Sequence, residues 1–362
     1  MYEKEVKIMS EKVLMKGNEA IGEAAIRSGC RHFFGYPITP QTELSAYMSK
    51  KMPKIGGVFL QAESEVAAIN MVYGAAGAGA RTMTSSSSPG ISLKAEGISY
   101  IAGADLPCVI VNIVRGGPGL GGIQPAQSDY FQATKGGGHG DYHLIVFAPN
   151  SVQEIVSLTA DAFNKADEYR VPVMILGDGT LGQMMEPVDF DSVPAPCEAD
   201  KSWATVGTDL KREHNIVNSL YLSPDKLEQT ILERQQRYNI IKENEQRWED
   251  HDIEDTDIIV TSYGTTSRVV ETAVKMVREE GLKVGVIRPI TLWPFPEKIF
   301  KEAAKTAKAF LSVEMSMGQM VEDVKLAVDG KAPVHFFGRT GGIIPTPAEI
   351  ADEIRKIAGG LK

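Results

Sequence analysis

The sequence predicts an α/β protein in which a doubly wound, mostly parallel sheet is followed by a second, smaller α/β domain. Three observations support this fold class. Short apolar runs alternate with helical segments in the first half of the chain, and the alternation resumes after residue 256. Two of the runs, "PCVIVNIV" (107–114) and "HLIVFAP" (143–149), are apolar enough to be strands buried on both faces. The length of 362 residues also suits two domains.

The first domain is expected over residues 1–190. Strands are predicted at apolar runs that end in Gly, Pro or Ser, and helices at the amphipathic or small-residue segments between them. In order, the predicted elements are a helix over 18–28, a strand at 32–37, a helix over 42–51, a strand at 58–63, a helix over 64–78, a strand and turn at 81–87, a helix over 91–104, strands at 107–114 and 143–149, a helix capped by Ser151 that runs to about 169, and a strand at 171–179.

Residues 191–255 are predicted to be a linker, because a proline-bearing segment there leads into a long polar helix, predicted over 224–250. The second domain is expected over 256–362. Its predicted elements are, in order, a strand in "DIIVTSYGTTS", a helix over 268–280, a strand in "KVGVIRPITLWP", a helix from 296, a strand in "AFLSVEMSMG", a further helix and a strand in "PVHFFGRTGG".

Composition excludes several classes of partner and site. A net charge of −9 without any basic block argues against nucleic acid and against an anionic membrane surface. No apolar run reaches the ~18–20 residues of a membrane span, and the N-terminus is too charged for a secretory signal. Cys30, Cys108 and Cys197 are far apart, so this chain alone is not expected to hold zinc or an iron–sulfur cluster. Unpaired cysteines suit a reducing cytoplasm, the expected location.

Two junctions between a strand and a helix carry candidate functional residues. In "GYPITPQTE" (35–43) the prolines hold the backbone extended and leave the hydroxyl of Thr39 exposed. In "LQAESE" (60–65) the carboxylates of Glu63 and Glu65 stand at a helix start, where acidic residues also simply complement the helix dipole. Such junctions at the carboxyl ends of parallel strands are where these folds bind ligands.

Two further junctions contain hydroxyls, glycines and an arginine. "TSSSSPG" (84–90) offers hydroxyls and amides to an anion, or else forms only a turn and a helix cap. Arg115, in "VRGGPGLGGIQP" (114–125), is placed to grip a carboxylate with two parallel N–H donors, or else forms a surface ion pair. The stretch "GDG" at 177–179 is similar to the start of a magnesium–diphosphate motif, in which an Asn follows the Asp at a shorter distance than here. The next Asn after Asp178 is Asn215, so the stretch is predicted to be a tight turn and not part of such a site.

Taken together, "GN" (17–18), "YPITP" (36–40), "QAESE" (61–65), "TSSSSPG" and "VRGGPG" resemble the α subunits of 2-oxoacid:ferredoxin oxidoreductases. The resemblance is greatest to the branched-chain type, which acts on 3-methyl-2-oxobutanoate. It covers nearly the whole chain, including "VIRPITLWPFP" and "VEMSMGQM" in the second domain. It implies that the first domain is a thiamine diphosphate-binding domain of the pyrimidine type and that the second is similar to the transketolase C-terminal domain.

The resemblance also implies roles for the candidate residues. Thr39 and Arg115 are expected to bind the 2-oxoacid, with Thr39 also acting in catalysis. Glu65 is preferred to Glu63 as the carboxylate that faces the pyrimidine ring, because it lies nine residues before Gly74, a spacing common in thiamine enzymes. The remaining residues expected to contact the cofactor are Pro37, Ile38, Ser87 and Ser88.

Other parts of the active site are expected on partner subunits. The resemblance implies a β subunit that binds the diphosphate and Mg²⁺, a γ subunit, a small ferredoxin-like subunit and [4Fe–4S] clusters outside this chain, with coenzyme A and ferredoxin as co-substrates. Glu314 and Gln319 are expected to make intersubunit contacts or to belong to the core, and no chemistry is assigned to them.

Three alternative functions are compatible with the same residues. The substrate could be pyruvate or 2-oxoglutarate. The chain could instead belong to a thiamine enzyme that transfers no electrons, such as a transketolase-like or sulfopyruvate decarboxylase-like protein. It could also be a catalytically silent scaffold, against which the complete set of Thr39, Glu65 and Arg115 argues.

Overall fold

The structure, a computed structural model, describes residues 12–361, so residues 1–11 of the predicted first domain lie outside the described part of the chain. The helices and strands are, in chain order, β1 (Val13–Lys16), α1 (Gly17–Arg27), β2 (His32–Gly35), α2 (Thr42–Lys51), a 3₁₀ turn (Met52–Ile55), β3 (Val58–Gln61), α3 (Glu65–Gly77), β4 (Thr82–Ser86), α4 (Pro89–Gly103), β5 (Cys108–Val114), α5 (Tyr130–Thr134), β6 (Ile145–Phe147), α6 (Val152–Tyr169), β7 (Pro172–Asp178), α7 (Gly179–Gln183), β8 (Met185–Val188), α8 (Pro224–Asn244), β9 (Trp248–His251), β10 (Ile258–Thr261), α9 (Thr266–Glu279), β11 (Val284–Pro289), β12 (Thr291–Trp293), α10 (Glu297–Ala303), β13 (Ala309–Glu314), α11 (Met320–Val328), β14 (Val334–Gly338) and α12 (Pro347–Gly360).

Seven strands form the first sheet, in the order β12-β6-β7-β5-β4-β2-β3. All neighbouring pairs are parallel except β12 with β6. Every residue of β5, β6 and β7 is buried, and burial on both faces was predicted for β5 and β6. The chain runs from β2 outward to β3 and then crosses back over β2 to β4. The strand order therefore reverses between β2 and β4, and the carboxyl ends of strands at such a reversal are where open α/β sheets bind ligands.

Helices cover the sheet in two groups. Helix α1 packs against α2 and α6, whereas α3 packs against α4. The α3–α4 contact is unusually close, because a Cβ atom on Gly97 would lie only 2.4 Å from Cγ2 of Ile69. Connections between parallel strands are right-handed, so helices in connections that run in opposite directions along the sheet lie on opposite faces of the sheet. The prediction of a doubly wound α/β sheet is confirmed.

The second sheet has the order β14-β13-β10-β11-β9, with only β9 antiparallel. The long polar helix was predicted to reach residue 250, but α8 ends at Asn244 and residues 248–251 form the edge strand β9. The reason is the buried Arg288 on β11, whose Nε donates a 2.8 Å hydrogen bond to Glu249 of β9. Arg288 also forms an ion pair with Glu154, so the edge strand adds a second carboxylate beside this buried cation.

The two sheets are joined through one continuous hydrophobic core. Strand β12 follows β11 in the chain, yet it pairs with β6 of the first sheet. Gln127 lies between the two parts: its Nε2 donates to the carbonyl of Tyr263 at 2.8 Å, and its Oε1 accepts from Thr266 Oγ1 at 2.9 Å and from the amide of Met315 at 3.0 Å. The second part is thus packed firmly onto the first.

The fold also contains features that were not predicted. The antiparallel ribbon β1–β8 and the C-terminal helix α12, with its capping box of Thr346 and Glu349, are additional elements. The stretch 177–179 is also not a tight turn. Asp178 ends β7 and begins α7, where its carboxylate accepts from the amides of Thr180 and Leu181 at 2.8 and 3.1 Å, because a helix start leaves such donors unpaired. Between residues 12 and 361, no helix has the length and apolar character needed to cross a membrane.

Candidate active site

The predicted functional residues meet at the carboxyl edge of the first sheet, where its strand order reverses. The side chain of Arg115, after β5, reaches the loop after β2, and the carboxylate of Glu65, after β3, reaches the start of α4 at Gly90. The hydroxyl of Ser88, after β4, is bonded to the backbone of Arg115. Four consecutive strand ends therefore contribute to one site, as expected for a parallel sheet.

The proline loop after β2 is held from below and leaves Thr39 exposed. Gln41 is fully buried, and its Nε2 donates to the carbonyl of Tyr36 at 3.1 Å. Asn18 is also fully buried, and its Nδ2 donates to the carbonyl of Pro40 at 2.8 Å. Within the described residues the Thr39 hydroxyl has no hydrogen-bond partner. The loop thus presents an unused hydroxyl on a fixed backbone. Of the predicted cofactor contacts beside it, Pro37 is exposed and Ile38 is partly buried.

Arg115 is buried, with 8% of its surface exposed, and so does not form the surface ion pair that was its alternative role. Its Nη1 donates to the carbonyl of Thr39 at 3.0 Å and its Nη2 to the carbonyl of Leu120 at 3.3 Å. Its Nε is buried without a partner, and no carboxylate of residues 12–361 forms an ion pair with it. A buried cation that bonds only to neutral carbonyls is costly, and an anion at this position would offset the cost.

Glu65 and Glu63 are in clearly different environments. Glu65 is the first residue of α3 and is only 6% exposed, whereas Glu63 is exposed and accepts a hydrogen bond from the hydroxyl of Ser64 at 3.2 Å. The carboxylate of Glu65 has no hydrogen-bond partner in the described part of the chain. Its Oε1 lies 2.7 Å from the place that a Cβ on Gly90 would occupy, so a larger residue at position 90 would displace this carboxylate.

The serine-rich junction contains two kinds of hydroxyl. Ser86 and Ser87 are fully buried, and neither hydroxyl has a hydrogen-bond partner. Ser88 stands at the N-cap position of α4, but its side chain does not form the helix cap that was the alternative role of this junction. Its Oγ instead accepts from the amide of Arg115 at 3.1 Å. The hydroxyls of Ser86 and Ser87 are therefore unpaired, whereas Ser88 fixes the backbone of Arg115.

Sequence reasoning missed two residues behind this junction. Asn112 on β5 accepts a hydrogen bond from the amide of Ser88 at 3.1 Å and donates one to Asp129 at 2.9 Å. Burial raises the pKa of Asp129, and the hydrogen bonds from Asn112 and Ser88 act in the opposite direction. The signal was available, since a buried strand with one Asn among aliphatic residues needs a partner for that amide.

Lys94 on α4 was also missed, although it is fully buried. Its Nζ donates to Thr84 Oγ1 at 2.7 Å and to the carbonyl of Ser85 at 2.9 Å. Burial lowers the pKa of Lys94 to about 7, while the charge of Glu65 acts to raise it. The helical period could have revealed this residue, because Lys94 shares a face with Gly90, Ile91 and Ile98, all of which are apolar and buried.

Glu314 and Gln319 make contacts within the chain. Glu314 is fully buried, and its carboxylate accepts from the amides at the start of α11, at 2.9 Å from Gln319 and 3.0 Å from Met320. The side chain of Gln319 bonds to the carbonyl of Ser128 and to the amide of Phe131, both at 2.8 Å. Glu314 was expected to make intersubunit contacts or to belong to the core, and its burial places it in the core.

No cluster of three or more His, Cys, Asp or Glu side chains in residues 12–361 is arranged to hold a metal ion. Cys30 and Cys108 are buried, and burial raises the pKa of each thiol to about 12. Asp178, in the "GDG" stretch, accepts a hydrogen bond from Thr265 of the second part, and burial raises its pKa.

Comparison with protein families places two matches along the chain. Residues 23–257 match the family described as "Pyruvate flavodoxin/ferredoxin oxidoreductase, thiamine diP-bdg". Residues 256–350 match "Pyruvate:ferredoxin oxidoreductase core domain II". The first match alone covers more than half of the chain.

Individual relatives agree with the family matches. The ketoisovalerate oxidoreductase subunit VorB of Methanothermobacter marburgensis is 51% identical over 96% of this chain and 98% of its own length. The 2-oxoglutarate synthase subunit KorA of Methanothermobacter thermautotrophicus is 38% identical over 96% of this chain and its full length.

Two solved structures show the same fold. The 2-oxoglutarate:ferredoxin oxidoreductase of Magnetococcus marinus, solved with 2-oxoglutarate, coenzyme A and succinyl-CoA, superposes with a TM-score of 0.84 at 29% identity. It covers 96% of this chain, which spans 65% of the length of that one. A split-gene transketolase in an inactive β4 tetramer superposes with a TM-score of 0.60 at 14% identity, covering 94% of this chain and 97% of its own, and supports the fold alone.

Proposed function

This chain belongs to the 2-oxoacid:ferredoxin oxidoreductase family, and we propose that it is the α-type subunit of a branched-chain enzyme that acts on 3-methyl-2-oxobutanoate. The proposed reaction consumes the 2-oxoacid, coenzyme A and two oxidised ferredoxins. It yields 2-methylpropanoyl-CoA, CO₂, one proton and two reduced ferredoxins, so that the two electrons left by decarboxylation go to ferredoxin. The greater identity to the VorB relatives than to the KorA relatives supports this substrate over 2-oxoglutarate.

One observation carries the proposal: two buried ionisable side chains at the same sheet edge form no ion pair with any described residue. Arg115 bonds only to neutral carbonyls, and Glu65 has no hydrogen-bond partner among the described residues. Proteins rarely leave buried ionised groups in this condition unless a ligand or a partner completes them. A carboxylate substrate suits the first group, and a heterocycle with a basic nitrogen suits the second.

The described residues fit the pyrimidine end of thiamine diphosphate. The hydroxyls of Ser86 and Ser87 are buried without partners, and Gly90 leaves space beside the carboxylate of Glu65 that a larger residue would fill. Pro37 and Ile38 would contact the ring from the proline loop. The chemistry that the cofactor supplies when bound is a nucleophilic carbon and a sink for the electrons released by decarboxylation.

The chain's own side chains have distinct tasks in this scheme. Glu65 holds a proton at its carboxylate and exchanges it with the ring nitrogen placed against it, and the buried position strengthens this exchange. Arg115 binds the carboxylate of the 2-oxoacid through its guanidinium. The unpaired hydroxyl of Thr39 donates to the substrate from a loop whose backbone Arg115 already holds.

The active site would be completed by other subunits. A β subunit would bind the diphosphate and Mg²⁺, [4Fe–4S] clusters outside this chain would carry the electrons, and a γ subunit and a small ferredoxin-like subunit would complete the assembly. The absence of a metal-binding cluster among residues 12–361 is compatible with this division of labour.

Substrate competition in the assembled complex tests the proposal. The chain would be co-expressed with its neighbouring subunits, and kcat/KM would be measured for 3-methyl-2-oxobutanoate, pyruvate and 2-oxoglutarate with coenzyme A and a viologen dye. The proposal expects the branched-chain acid to have the highest kcat/KM. A higher value for 2-oxoglutarate would contradict the substrate assignment, and failure to oxidise any 2-oxoacid would contradict the function.

A further inference from the structure

We propose that Lys94 is a positioning residue of the candidate site, whose buried ammonium group acts on the carboxyl group of Glu65 from the next turn of α4. The inference rests on the proposed function only for the use to which Glu65 is put. The coupling between the two side chains is a property of the chain alone. Neither the family matches nor the motifs assign any role to Lys94.

Lys94 is buried without a charged hydrogen-bond partner. Its side chain is fully buried, and both of its hydrogen-bond partners, Thr84 Oγ1 and the carbonyl of Ser85, are neutral. Lysine is almost never fully buried without a paired charge, because removing an ammonium group from water is costly. Two neutral acceptors also leave the third N–H of the ammonium group without a bond.

Glu65 and Lys94 meet the same face of α4. Gly90 and Lys94 are separated by one turn of α4 and lie on its buried face. The Oε1 atom of Glu65 lies against Gly90, at 2.7 Å from the place of its missing Cβ. Helix α3 is brought this close because Gly97, one turn further along α4, admits Ile69. The carboxylate and the ammonium group therefore occupy successive turns along one face of α4.

Lys94 interacts with the charge of Glu65. Of the described residues, Glu65 is the charged group that acts to raise the pKa of Lys94, and the two hydrogen-bond acceptors of Lys94 on β4, at Thr84 and Ser85, are neutral. Because the coupling between two charges is reciprocal, removing the ammonium charge should slow proton transfer from Glu65 to a base placed against it.

A purely structural role would make a different prediction. If Lys94 only ties β4 to α4, a neutral side chain with an N–H donor should replace it. Lys94→Gln keeps such a donor and removes the charge, whereas Lys94→Met removes both and keeps the length. Lys50→Met, at an exposed position on α2, makes the same chemical change away from the site and serves as the control.

The coupling can be measured in the isolated full-length chain. The chain would be labelled with [ε-¹³C]lysine, the Lys94 resonance assigned by its loss in Lys94→Gln, and its titration followed by NMR. Glu65→Gln is expected to lower the pKa of Lys94 further below its value of about 7, by about one unit, whereas Glu63→Gln leaves it unchanged. An unchanged Lys94 titration in Glu65→Gln would overturn the inference, whatever the enzyme turns over.

The consequence for the site is measured in the assembled complex, as hydrogen–deuterium exchange at C2 of bound thiamine diphosphate. At pH 6, where Lys94 is charged, Lys94→Gln and Lys94→Met should both exchange about tenfold more slowly than the wild type. At pH 9, where Lys94 is neutral, all three should exchange at similar rates, and Lys50→Met should follow the wild type throughout.

The outcomes separate the inference from the proposed function. If Lys94→Gln follows the wild type at every pH, Lys94 is only a structural tie and the inference is wrong. If the wild-type complex oxidises no 2-oxoacid while Glu65→Gln still shifts the Lys94 titration, the proposed function fails and the coupling stands. Should Lys94→Met fail to fold, Lys94→Gln alone decides between the two.

Discussion

The guanidinium of Arg115 donates a 3.0 Å hydrogen bond to the backbone carbonyl of Thr39, and this bond links the ends of β5 and β2 across the candidate site. The same guanidinium holds the carbonyl of Leu120 in the glycine-rich loop at 3.3 Å. Arg115 therefore positions two loops while its charge remains uncompensated by any carboxylate of the described residues. Its proposed partner is the carboxylate that all 2-oxoacids share.

Arg115→Lys should raise KM for every 2-oxoacid by about ten- to a hundred-fold. Lysine cannot offer two parallel donors to a carboxylate, and charge-assisted hydrogen bonds contribute ~1.5–3 kcal/mol each. The order of preference among substrates should be unchanged, because the carboxylate is common to all of them. Steady-state kinetics with three 2-oxoacids tests this, with the exposed Arg27→Lys as control. Loss of 2-oxoglutarate oxidation alone would mean that Arg115 binds a distal carboxylate.

Glu65→Gln should slow C2 exchange of bound thiamine diphosphate by ~10²-fold or more, the usual effect of losing an acid–base group. Glu63→Gln makes the same change two residues away on an exposed side chain and should have a much smaller effect. Exchange followed by NMR in the assembled complex compares the two variants. The reverse ranking would show that the buried carboxylate is not the one that acts.

Gly90→Ala should abolish cofactor binding without unfolding the chain. The new methyl group would lie 2.0 Å from Ser86 Oγ and 2.7 Å from Glu65 Oε1, so both of these side chains would have to move. Gly359→Ala in α12 is the matched control, since nothing lies within 4 Å of its Cβ position. The control should raise the free energy of unfolding by ~0.5–1 kcal/mol. Calorimetric titration of the complex with thiamine diphosphate tests the pair, and wild-type affinity in Gly90→Ala would contradict the assigned site.

The burial of Lys94 predicts how stability depends on pH. Its pKa is about 7 in the folded chain against 10.5 when exposed, so between these values the unfolded chain binds the extra proton. Stability contributed by this group should therefore rise with pH, by at most about 1.4 kcal/mol per pH unit. Urea unfolding of the wild type and Lys94→Met at pH 7 and pH 9 isolates the effect. At pH 7 the buried lysine lowers the stability of the wild type and not that of Lys94→Met, so the difference in free energy of unfolding in favour of Lys94→Met should shrink as the pH rises. A difference independent of pH would contradict the folded-state pKa.

The local parts of the fold could be predicted because their signals are local. Helix α2 spans Thr42–Lys51 as predicted, between the prolines before it and the 3₁₀ turn after it. The return of β12 to the first sheet could not be predicted in the same way. Thr291–Trp293 continues the apolar run of β11, and its pairing with β6 joins segments about 145 residues apart. Nothing in a short window of sequence contains that information.

The candidate site shows the same division. The proline, glycine and serine junctions were visible because each follows an apolar run, and a parallel sheet brings its strand ends to one edge. The spacing to Gly74 favoured Glu65 over Glu63, but the different burial of these two carboxylates and the importance of Lys94 were not visible in the sequence. Burial here follows from the close approach of α3 to α4 at Gly90 and Gly97, which only the three-dimensional packing reveals.

The central claim is that this chain supplies only part of an active site, and reconstitution from separate subunits tests it most directly. The purified chain, the purified partner subunits and their mixture would each be assayed with 3-methyl-2-oxobutanoate, coenzyme A, thiamine diphosphate, Mg²⁺ and a viologen dye. The account predicts no dye reduction by the chain alone or by the partners alone, and coenzyme A-dependent reduction when they are mixed. Turnover by the chain alone would contradict it.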